Sequence, residues 1–74
     1  MTSGEAKSIA ESFLVTQDMK GFSVRHAETK KSIPWPNDWA VVFNVYHPQG
    51  HLMDAPIIVL VDEKTRQPRF FETL

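Results

Sequence analysis

The sequence predicts a small α+β fold: one N-terminal helix packed on a 3–4-stranded antiparallel sheet, in the order α-β-β-β-β. Three observations predict it. Apolar residues recur at three- and four-residue steps from Ala6 to Leu14. The period changes to two from Phe22. Residues that favour turns then separate runs rich in β-branched and aromatic side chains.

The helix comes first. Thr2 or Ser3, followed by Glu5, supplies hydroxyl and carboxylate oxygens for the orphan amides of a helix start. Ala6, Ile9, Ala10, Phe13 and Leu14 line one face, while Lys7, Glu11 and Ser12 fall on the other. Lys20-Gly21 is the expected stop, because glycine readily takes the left-handed conformation that closes a helix.

The first strand alternates Phe22, Val24 and His26 with Ser23, Arg25 and Ala27. Thr29 to Asn37 reads as a loop, held extended at Ile33-Pro34-Trp35-Pro36 by two prolines that donate no backbone hydrogen bond. Trp39 to His47 is the strongest strand, and Pro48-Gln49-Gly50 is a turn. Pairing across that turn sets His47 opposite His51, Val45 opposite Met53 and Val41 opposite Ile57. The strand Ile57 to Val61 follows, then a charged turn over Asp62–Gln67, then a short edge strand from Pro68 to Glu72. Phe70 and Phe71 must point to opposite faces.

Composition limits function. A chain of 74 residues has room for one domain, 1–74, and for a thin core. It lacks cysteine, which excludes disulfides and thiolate metal sites. Eight basic and nine acidic residues are spread along the chain, with no clustered cations to meet a nucleic-acid backbone. The N-terminal segment has no secretory pattern and no apolar run approaches membrane-spanning length, so the default expectation is cytoplasmic.

No active site assembles from these residues, and no cofactor motif is present. The three glycines, Gly4, Gly21 and Gly50, are isolated, so no phosphate loop exists. His47, His51 and Asp54 are the place to look for a metal, two imidazoles opposed across a turn with one carboxylate nearby. A small metal-binding or enzymatic domain built on His47 and His51 is therefore the alternative reading. His26 falls on the apolar side of its strand, where a buried imidazole with one hydrogen-bond partner is expected. Asp62 and Glu63 are adjacent carboxylates whose strand positions face apart, and Asp62 suits capping of its own turn.

The apolar balance between the two sheet faces carries the functional expectation. Trp39, Val41, Phe43, Val45, Ile57, Val59 and Val61 fall on one face, under the helix. Ala40, Val42, Tyr46, Leu52, Ile58, Leu60 and one phenylalanine fall on the other. The run Ile57-Ile58-Val59-Leu60-Val61 is that of a strand buried on both sides, yet only one helix is available. The Ile33-Pro34-Trp35 loop, a second copy of the chain or a different protein must shield the second face. Trp35, Val42, Tyr46, Ile58 and Leu60 are the expected partner-contacting residues.

The helix Ala6-x-x-Ile9-Ala10-x-x-Phe13-Leu14, the strand Trp39-Ala40-Val41-Val42-Phe43 and the hairpin Val61-Asp62-Glu63-Lys64-Thr65-Arg66 together resemble two kinds of domain. They are the small α+β immunity proteins of bacterial toxin systems and PepSY-type domains, whose hairpin often reads Val-Asp-x-x-Thr-Gly. The resemblance implies a non-enzymatic protein-binding module and transfers no functional residue; a homodimer is the option the uncovered sheet face leaves open. Arg66 stands in place of the glycine, which implies a hairpin that turns differently.

Overall fold

A computed structural model describes residues 1–71. It contains the expected order: helix α1 (Ser3–Val15) and strands β1 (Ser23–Lys31), β2 (Asp38–Tyr46), β3 (Ile57–Asp62) and β4 (Pro68–Phe70). The strands form one antiparallel sheet in the order β1-β2-β3-β4, so every connection is a hairpin between neighbours. Among the described residues, no helix is long and apolar enough to cross a membrane.

Thr2 caps α1. Its hydroxyl accepts from the Glu5 amide at 3.2 Å, and the Glu5 carboxylate accepts from the Thr2 amide at 3.1 Å. Two orphan donors are thus satisfied reciprocally. The helix stops earlier than its spacing predicts, at Val15 rather than at Lys20-Gly21. The Thr16 hydroxyl donates to the Phe13 carbonyl at 2.6 Å, and the Asp18 carboxylate accepts the Lys20 amide at 3.0 Å. Such local side-chain bonds compete with helical ones and end the helix. Lys20 (φ 55°) and Gly21 (φ 87°) then turn the chain into β1.

The inner face of the sheet packs as expected. Ala6, Ala10 and Leu14 of α1 bury Val41, Phe43, Val59 and Val61, with Ile9, Phe13, Val24, Trp39 and Ile57 at the margin. Phe70 joins this side, its ring 5.0 Å from that of Phe13.

Three departures have local causes. First, β1 continues to Lys31, well into the segment expected to be loop, because a bulge at Ala27 lets the ladder resume at Glu28↔Val42. The bulge reverses the alternation, so Glu28 and Lys30 share the outer face with Arg25. Second, His26 is exposed rather than buried. It lies on an edge strand, its Nε2 2.7 Å from the Thr29 hydroxyl. Third, the expected β2–β3 register holds only beside the turn, where the His47 amide donates to the His51 carbonyl and the Met53 amide to the Val45 carbonyl. Beyond that, Asp54-Ala55-Pro56 stands opposite the single residue Asn44, and pairing resumes at Phe43↔Ile57 and Val41↔Val59. Pro56 has no amide to give to the ladder. A slip of two residues keeps every side chain on its expected face, which a slip of one would not.

The last hairpin, between β3 and β4, turns at Arg66. Arg66 itself takes the left-handed conformation, φ 61°, which a glycine would adopt without a Cβ penalty. Asp62 holds the turn, its carboxylate accepting the Lys64 and Thr65 amides at 2.8 Å each.

Candidate functional site

The outer face of the sheet is half roofed. The loop between β1 and β2 folds back over one end of it and sets Trp35 edge-on to Phe71, with ring centroids 5.4 Å apart. Ala40 and Leu60 lie beneath and are buried, Leu60 to 4% exposure. Arg69 reaches over the same end to Asp38, with Nη2 2.5 Å and Nη1 3.4 Å from its carboxylate oxygens. Asp38 is itself buried, so the bidentate pair leaves no orphaned charge. The other end is uncovered: Val42 and Ile58, cross-strand partners, are half-buried, and Leu52 is exposed.

Between loop and sheet lies an open cleft of about 200 Å³, lined by Lys30, Ser32, Ile33, Pro34, Trp35, Ala40, Ile58, Leu60 and Phe71. Its lining is almost entirely apolar, Lys30 and Ser32 being the exceptions. Ser32 is buried and its hydroxyl accepts the Trp35 amide at 3.3 Å. Lys30 stands at the mouth, paired with Glu28 at 3.2 Å. Ile33 is 90% exposed and Trp35 46%. An apolar cavity near this size holds a single aromatic ring, and ligand sites for whole small molecules are commonly larger.

The five residues expected to contact a partner therefore divide. Trp35 walls the cleft and remains half open to solvent. Ile58 lines the cleft, and Val42 extends it along the sheet. Leu60 forms the floor, too deep to make a broad contact. Tyr46 lies away from the cleft, bridged to Leu52 and beneath the Arg25 guanidinium, 5.6 Å from its ring. Ile33 and Phe71 were not singled out as contact residues. For Phe71 the signal was present, since alternation puts it opposite Phe70; for Ile33 it was an isoleucine in a proline-rich loop.

His47 and His51 flank the turn at the end of β2, where the His47 amide donates to the His51 carbonyl at 2.7 Å. His47 faces Phe22, 5.4 Å away and edge-on, and its Nδ1 accepts the Gln49 amide at 3.2 Å. Among the described residues no three of His, Asp or Glu converge as metal ligands, His47, His51 and Asp54 included.

The strongest electrostatic feature lies at the base of the Trp35 loop. The Glu63 carboxylate accepts from the Trp39 indole, from Lys31 Nζ at 3.2 Å and from the Met1 amino group at 3.1 Å. These donors, the indole first, hold its pKa well below the ordinary carboxylate value, down to about 2. Lys31 also lies 4.9 Å from the Trp39 ring centroid, a cation–π contact. Sequence spacing gave no hint of this cluster, because it joins residues from four separate segments.

Comparison with family models, with characterised proteins and with solved structures finds no match to this chain.

Proposed function

We propose that this chain is a non-enzymatic protein-binding module whose outer sheet face docks a protein partner. The cleft beside Trp35 takes one large apolar side chain of that partner, and Val42 and Ile58 continue the contact along the sheet. The observation that carries this reading is the cleft itself: about 200 Å³, apolar, and flanked by the exposed Ile33 and half-exposed Trp35. Exposed tryptophan beside an apolar pocket is the usual make-up of a binding hot spot. Proline on both sides of Trp35 lowers the entropy lost when it is immobilised. The likeness to immunity proteins and PepSY-type domains points the same way, toward binding rather than catalysis.

The test is a photo-crosslinking residue placed at Val42 and, as a control, at Ser8 on the exposed side of α1. The reading expects a discrete adduct from Val42 in the source cells, absent from Ser8 and lost on Ile58→Asp. An adduct of twice the chain mass from purified protein identifies the partner as a second copy. Equal or no adducts at the two positions overturn the reading.

A further inference from the structure

We infer that Glu63 is the latch that holds the Trp35 loop in place over the outer face. The loop's internal bonds are few: the Ser32 amide donates to the Asp38 carbonyl at 2.9 Å, the Asp38 amide to the Trp35 carbonyl at 2.8 Å, and the Trp35 amide to the Ser32 hydroxyl at 3.3 Å. Those bonds shape the loop without tying it to the rest of the sheet. The Arg69–Asp38 pair ties the loop's exit to β4, and Glu63, from the hairpin after β3, adds ties at both loop ends. Its backbone amide donates to the Asn37 carbonyl at 2.7 Å, where the loop leaves. Its carboxylate accepts from Lys31, where the loop begins, and from Trp39, just past its end. Lys31 Nζ also reaches the Pro36 carbonyl at 3.4 Å, so one ammonium bridges latch and loop.

At its tip, by contrast, Trp35 is held over the sheet chiefly by its contact with Phe71 across an incompletely filled cleft. A contact beside a void gives little restoring force against lifting. Loop position is therefore governed from the base, by Glu63 together with Arg69, neither of which lines the cleft. The inference stands on loop geometry alone and does not depend on the docking reading.

Amide hydrogen exchange of the free protein tests it, comparing wild type with Glu63→Ala and Lys31→Met. Glu63→Ala keeps the backbone bond but removes the side-chain ties to Lys31, Trp39 and Met1, whereas Lys31→Met keeps the Trp39 tie, so the milder variant still reads the loop if the other fails to fold. The expected result is exchange at Ser32 and Asp38 faster by about tenfold in Glu63→Ala and less in Lys31→Met, with Val41 and Val59 unchanged. Unaltered rates at Ser32 and Asp38, or equal acceleration at all four amides, overturn the inference. The second outcome reduces Glu63 to a contributor to global stability.

Discussion

Both faces of β2 and β3 carry apolar side chains, and the two faces are covered in different ways. The inner face has a capped helix laid across it, and Val41, Phe43, Val59 and Val61 are almost completely buried. The outer face has a proline-rich loop over one end, which buries Ala40 and Leu60 and leaves Val42 and Ile58 half open. Side chains one residue apart on β2 and β3 thus do separate work. One set is sealed under the helix, and the other is buried at one end and partly open to solvent at the other.

Truncation separates the faces most sharply. Phe43→Ala is expected to cost about 3–5 kcal/mol in urea denaturation, since a nearly fully buried aromatic leaves a cavity that the neighbours cannot fill. The neighbouring valines offer a matched pair. Val41→Ala should cost about 2 kcal/mol and Val42→Ala less than about 1 kcal/mol, each methyl counted by the water it was removed from. Equal losses at the two positions would break the comparison, because the outer face would then be an interior.

Backbone geometry gives the next effects. Gly21→Ala should destabilise by about 1–2 kcal/mol, because φ is 87° there and an added Cβ would sit 3.2 Å from Pro48 Cγ. Arg66→Gly is expected to stabilise by about 0.5–1 kcal/mol, the relief of a left-handed arginine outweighing the loss of its exposed pairing with Glu5. Both are read from denaturation midpoints.

The pH dependence is the smallest effect and its sign is set. Glu63 is held down to about 2 chiefly by the Trp39 indole, and Glu5 and Asp62 are lowered by hydrogen bonds from Thr2 and from the Thr65 and Lys64 amides. A carboxylate more acidic in the folded state stabilises it above its ordinary value near 4.5 and loses that contribution as pH falls toward about 2. Denaturation midpoints should be flat just above that window and decline through it, and the decline should shrink in Glu63→Gln.

Much of this was legible in the residues. The helix period, the capping pair Thr2–Glu5 and the parity of β2 and β3 specify which side chains go inward, and parity survived the two-residue slip at Asp54-Ala55-Pro56. What the sequence hid depends on contacts distant along the chain. The bulge at Ala27 extends β1 only because β2 is there to pair with it. His26 looked buried by alternation, yet an edge strand under a short helix leaves it wet. The cleft needed the loop folded back on Phe71, and the Glu63 cluster needed Met1, Lys31 and Trp39 brought together. At Arg66 the turn-forming sequence was visible but its conformation was not, since arginine adopts positive φ only when the surrounding hairpin demands it.

The most direct test is a charge placed on each face in turn. Ile58→Asp should leave the protein folded by circular dichroism, with a loss of about 1–2 kcal/mol, and should abolish the adduct formed from Val42, whereas Val59→Asp should unfold the chain. If Ile58→Asp also unfolds it, or if the adduct persists in the folded variant, the outer face is not a contact surface.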